Sequence, residues 1–93
     1  TAILAGREPA GPTETVSIVG RYCESGDILI QGIELPELRR GDLLAMPTAG
    51  AYSLALASNY NMSLRPAVVV VNDGQPRLSR RRETYDDLLA HFP

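Results

Sequence analysis

Between Thr13 and Gly20 the apolar residues Val16 and Ile18 alternate with Thr15 and Ser17, and this period of two predicts a half-buried strand. Before it, Thr1 to Ala5 is short and apolar, ends at Gly6, and is expected to be a strand entering from something upstream. The stretch from Arg7 to Pro12 is too rich in proline and glycine for regular structure and is expected to be a loop. A second loop, Tyr22 to Asp27, leads into Ile28 to Leu35, a β-branched and apolar run interrupted by Gln31 and Gly32. That strand stops at Pro36, which has no N–H to give a ladder. Leu38 to Asp42 carries the turn signal Arg-Arg-Gly-Asp, and Leu43 to Met46 is a further apolar strand closed by Pro47.

The period then changes. From Ala51 to Asn61, the residues Leu54, Ala55, Ala57 and Ser58 recur at helical spacing, which predicts a short helix beginning near Gly50. The first turn of such a helix aims backbone N–H groups at whatever lies ahead of it. Val68 to Val71 and Arg77 to Arg81 flank Asn72-Asp73-Gly74, which supplies the positive-φ residues of a tight hairpin. At the end, Thr84 is placed to cap a short helix with Asp87 three residues on, and Tyr85, Leu88 and Leu89 form its apolar face. Residues 1–93 are therefore expected to be one mainly-β domain, a barrel or sandwich with two short helices, without internal repeat or splitting linker.

Composition narrows the partners. Nine arginines against eleven acidic residues give a net charge of −2, so no long-range positive field is available to hold a nucleic-acid backbone. The apolar runs fall far short of a membrane span, and the first residues lack the layout of an export signal. One cysteine, Cys23, cannot make an internal disulfide, and a secreted domain this small is usually stapled by several, so a cytoplasmic location is expected. His91 has no cysteine or second histidine at metal-ligand spacing, and no metal site is predicted. The chain also contains no lysine, which short-chain sampling or an arginine-rich genome would each account for.

Four side chains offer chemistry. Cys23 and Glu24 share a loop with Asp27, where a thiol and two carboxylates together provide a proton donor and a group for an ammonium ion. By itself, a lone cysteine reads more readily as a small buried hydrophobe, and Asp27 in Ser-Gly-Asp as a turn former bonded to its own backbone. Tyr52 follows Thr48-Ala49-Gly50-Ala51 at the start of the predicted helix, where a phenol reaches a phosphate or carboxylate, or stays a half-buried ring with a satisfied hydroxyl. Arg80-Arg81-Arg82 is expected to be a solvated edge that discourages strand pairing rather than an anion site.

Four blocks considered together resemble the diaminopimelate decarboxylase family in order and spacing: Cys23-Glu24-Ser25-Gly26-Asp27, Gly50-Ala51-Tyr52, Ser58-Asn59-Tyr60-Asn61 and Arg80-Arg81-Arg82-Glu83-Thr84. The resemblance runs from about Val19 to the last residue and reverses the readings of Cys23, Glu24 and Tyr52, but not those of Asp27 or the arginines. It implies a two-domain homodimeric enzyme in which an amino-terminal β/α barrel carries pyridoxal phosphate on a lysine and a β-domain like this chain completes the partner's active site. By the same resemblance, Cys23 is the proton donor, Glu24 holds the distal amino group of a small amino-acid substrate, and Tyr52 touches both cofactor phosphate and substrate.

That chemistry suits those residue types. Loss of carbon dioxide leaves an electron pair on the α-carbon, which a positioned acid must protonate, and a thiol of ordinary pKa carries its proton at neutral pH. A carboxylate on the distal ammonium orients the reacting carbon from a distance. The family's Arg-Pro-x-Leu-Tyr segment would lie upstream of Thr1, and the cofactor lysine is absent, so this chain alone is expected to be inactive. Two other readings stand beside it: a decarboxylase of the same fold acting on ornithine or arginine, whose members carry Asp where Glu24 stands here, and a non-catalytic β-domain for dimerisation or binding.

Overall fold

The computed structural model describes all 93 residues. Their contacts divide the chain into two compact units, Thr1–Ala51 and Tyr52–Pro93, and each is described by itself.

The first unit holds four strands: β1 (Ile3–Ala5), β2 (Thr13–Val19), β3 (Ile28–Pro36) and β4 (Leu43–Ala45). β2 and β3 form an antiparallel hairpin in which Val16 and Ile18 are half-buried while Thr15, Ser17 and Val19 are exposed. The alternation follows from the pleat, which sends successive side chains to opposite faces. Val16 pairs with Ile33, but Ile18 pairs with Ile30, so β3 spends an extra residue opposite Ser17. Gly32, at φ +70°, adopts the backbone this bulge needs, and its N–H is taken by the Ser17 hydroxyl at 3.1 Å. A second irregularity follows between Ile18 and Val19, so the hairpin is kinked twice just before it enters the loop at 20–27. Pro36 closes β3, where its lack of a donor removes no further ladder bond.

β1 pairs antiparallel with β4, and Ala2 and Leu35 are the buried apolar side chains of the unit. Arg7 fastens the connections together. Its guanidinium donates to both Asp42 oxygens at 2.8 and 2.7 Å and to the Glu37 carbonyl at 2.9 Å. This fork bonding, with help from the Arg39 N–H, lowers the Asp42 carboxyl to a pKa of about 2.

Helix α1 (Gly50–Leu56), most of which belongs to the second unit, is shorter than the predicted helix over 51–61. The chain leaves α1 and makes a short 3-10 turn at Tyr60–Met62, where Asn61 and Met62 stand at φ +55° and +60°. Two consecutive left-handed residues cannot continue an α-helix, whatever the apolar spacing. Strands β5 (Val68–Asn72) and β6 (Gln75–Arg80) form the predicted hairpin about a two-residue turn, Asp73-Gly74, both at positive φ. Helix α2 (Tyr85–Leu89) begins after Thr84, whose N–H donates to the Asp87 carboxylate at 2.7 Å as the spacing predicts.

The protein is thus mainly β with short helices, but no closed barrel forms: the strands make three two-stranded antiparallel sheets. Barrel or sandwich closure needs each strand to find a second neighbour, and here each sheet keeps open edges. Large apolar side chains remain exposed on both faces of the β5–β6 hairpin, among them Val69, Val70, Val71 and Leu78. No helix is long and apolar enough to cross a membrane.

Candidate functional site

The loop between β2 and β3 is closed at its neck by the Gly20 N–H, which donates to the Asp27 carbonyl at 2.8 Å. Inside it, the Asp27 carboxylate accepts the Tyr22 N–H at 3.0 Å, and the Asp27 N–H returns to the Glu24 carbonyl at 3.1 Å. Asp27 therefore folds the loop, as its Ser-Gly-Asp setting predicts. Gly20 is needed beside it, because a Cβ there would collide with the Asp27 carboxylate. The Arg21 guanidinium lies over the Tyr22 ring, 5.7 Å from its centre, in cation–π contact.

Within this frame Cys23 is an exposed free thiol rather than the buried hydrophobe that a lone cysteine usually is. Glu24 is exposed beside it, and its carboxylate accepts the Gly26 N–H at 2.8 Å, which fixes the side chain against its own turn. The loop thus brings a thiol and an oriented carboxylate side by side in solvent. Tyr52 lies on the first turn of α1 and is 80 % exposed. It belongs to the second unit, and its phenol is open to an external acceptor rather than half-buried.

The arginine cluster is solvated at Arg81 and Arg82, as expected, but not at Arg80. Arg80 is half-buried and donates to the Pro66 carbonyl at 3.1 Å, while Arg81 forks onto both Asp87 oxygens at 2.7 Å. That pairing, followed by the Thr84 N–H, drives the Asp87 carboxyl far below the usual carboxylate range. Asp87 had signalled a helix cap in the sequence; its six-residue reach back to Arg81 leaves no periodic trace. A second arrangement also carried no sequence signal beyond its place in two of the quoted blocks: Glu83 gathers Asn59 and Arg65 around its carboxylate. His91 is exposed.

This architecture is that of a known family. The chain belongs to the pyridoxal-dependent decarboxylases, as a C-terminal sheet domain: the family so described matches residues 1–50. Among similar proteins, the diaminopimelate decarboxylase of Bacillus subtilis is 50 % identical over 88 residues, 95 % of this chain and 20 % of its own length. The Synechocystis diaminopimelate decarboxylase is 50 % identical over 86 residues, 92 % of this chain and 18 % of its own. A crystal structure of the diaminopimelate decarboxylase from M. jannaschii, 38 % identical, superposes with a TM-score of 0.91 over all of this chain and 21 % of that one. The same enzyme has also been crystallised with L-lysine. The chain accordingly spans about a fifth of the length of the proteins it matches.

The residues present fit pyridoxal phosphate in part. Without a lysine the chain cannot capture the cofactor's aldehyde, but the exposed Tyr52 phenol is a donor suited to a phosphate oxygen.

Proposed function

We propose that this chain is the carboxy-terminal β-domain of a diaminopimelate decarboxylase, which converts meso-2,6-diaminopimelate to L-lysine and carbon dioxide. The observation that carries the reading is half-identity to diaminopimelate decarboxylases across nearly the whole chain, joined to an exposed thiol and an anchored carboxylate in one loop. On this reading the rest of the enzyme is an amino-terminal β/α barrel with the cofactor lysine, the enzyme is a cytoplasmic homodimer, and strands from outside this chain complete a β-barrel. Open sheet edges and exposed apolar side chains such as Val69, Val71, Tyr85 and Phe92 support that completion.

The roles are those the family resemblance implies, and the exposure and chemistry of the three side chains support them. Bound pyridoxal phosphate supplies the electron sink that makes loss of the carboxylate possible. Cys23 Sγ holds the proton that goes to the α-carbon once carbon dioxide has left, and its exposure lets it reach into a site built by a second subunit. Glu24 binds the distal ammonium of the substrate. Its Oε1 is anchored by the Gly26 N–H, so the carboxylate meets the substrate with little further loss of freedom. Tyr52 donates its hydroxyl to the cofactor phosphate and contacts the substrate.

The test uses the intact enzyme. Cys23→Ala is expected to lower kcat by about 100-fold or more, the usual worth of a positioned acid, with KM little changed. Glu24→Gln is expected to raise KM for diaminopimelate. Full turnover by the Cys23 variant would remove the thiol from the mechanism, and unchanged substrate preference after Glu24→Asp would remove Glu24 from selection.

A further inference from the structure

The second unit contains a polar knot that none of these roles uses. The Glu83 carboxylate accepts the Arg65 N–H at 2.9 Å, the Asn59 side-chain amide at 2.6 Å and the Arg65 guanidinium at 3.4 Å. The Glu83 N–H returns to the Arg65 carbonyl at 3.1 Å, so the two residues are locked through main chain and side chain alike. Asn59 spans onward to the Ser63 carbonyl at 2.9 Å, across the two left-handed residues Asn61 and Met62. Arg65 reaches the other way: its Nε donates to the Ala57 carbonyl at 3.2 Å. Ala57 is the first residue beyond α1, and its own N–H bonds the Ser53 carbonyl, next to Tyr52, at 3.0 Å.

These bonds form one chain from Glu83 to the helix that carries Tyr52. A seven-residue helix with no buried side chain has little packing of its own to set its direction. Its exit is fixed instead by a guanidinium, and that guanidinium is held by a carboxylate only 19 % exposed. The backbone after it is held in an unfavourable conformation, which persists only where surrounding bonds over-determine it.

We propose that Glu83, acting through Arg65 and Asn59, is a positioning residue that holds α1 so that the Tyr52 hydroxyl is presented to the cofactor phosphate. The proposal rests on the reading of Tyr52 given above. Glu83 touches neither cofactor nor substrate; its effect is carried by the Ala57 carbonyl.

The experiment is a double-mutant cycle in the intact enzyme, with pyridoxal phosphate affinity of the apoprotein read from retained cofactor absorbance after dialysis. Tyr52→Phe is expected to weaken the cofactor by about ten-fold, the scale of a lost hydrogen bond to a charged group. Glu83→Gln should give a loss of several-fold, and the double variant should be no worse than Tyr52→Phe alone. Asp87→Asn breaks a different ion pair of the same unit and should lower the melting temperature without changing cofactor affinity. If Glu83→Gln does not fold, Arg65→Lys removes the Nε donor while keeping the charge and should show the same non-additivity. Multiplying losses in the double variant, or unchanged affinity in Glu83→Gln, would overturn the positioning role. Unchanged affinity in Tyr52→Phe alone would instead bring down the reading of Tyr52, and the two failures are therefore told apart.

Discussion

Replacing Gly20 by alanine isolates what holds the Cys23–Glu24 loop. Gly20 is not at positive φ, so alanine there meets no backbone strain, and the ordinary effect of the change would be a gain of about 0.4–1 kcal/mol from a less flexible unfolded chain. The structure reverses the sign. The new Cβ falls on the Asp27 carboxylate, and that side chain must rotate away from the Tyr22 N–H it accepts. A hydrogen bond to a charged group is worth about 1.5–3 kcal/mol, and half-burial of Asp27 puts this one at the lower end. The net cost is about 1 kcal/mol, felt locally. Amide hydrogen exchange in the intact protein should show protection at Gly20 and Tyr22 falling about five-fold in Gly20→Ala, since 1.4 kcal/mol is ten-fold. In an Asp27→Ala background the collision is gone, and the same substitution should become stabilising. A Gly20→Ala penalty of equal size in both backgrounds would refute the role given to Asp27.

Three further outcomes are expected. Asp42 is depressed in the folded state to about 2, first by the Arg7 hydrogen bonds and then by the Arg39 N–H. Its contribution to stability is therefore full above the unfolded carboxyl pKa of about 4 and is lost as the pH falls toward 2. Melting temperature measured between pH 5 and pH 2 should fall less steeply in Asp42→Asn than in the wild type. Leu35→Ala empties one of the two buried apolar positions of the first unit and should cost about 2–3 kcal/mol in denaturant unfolding of the intact protein. Gly74→Val forces a β-branched residue to φ +71° and should cost the β5–β6 hairpin about 1–2 kcal/mol, read as lost amide protection from Val69 to Leu78.

Most local elements were legible in the residue pattern. Alternation of Val16 and Ile18 with polar neighbours is a property of the pleat, Asp73-Gly74 is a property of allowed φ angles, and the Thr84–Asp87 spacing is a property of helix ends, so each could be read without knowing its surroundings. The four spaced blocks likewise carried the family, which half-identity to diaminopimelate decarboxylases over 92–95 % of the chain then bore out. The rest depends on contacts between distant residues. The helix expected over 51–61 stops at Leu56 because the Arg65–Ala57 and Asn59–Ser63 bonds fix the backbone of the next residues, and apolar spacing contains no information about such bonds. The barrel expected from strand count does not close, because closure depends on which edges meet rather than on how many strands exist. Arg7 with Asp42, 35 residues apart, and Glu83 with Arg65, 18 apart, are invisible in any local window. Charge pairs of that kind are chosen by the folded backbone, which brings partners distant in sequence to the separation and orientation that fork bonding requires.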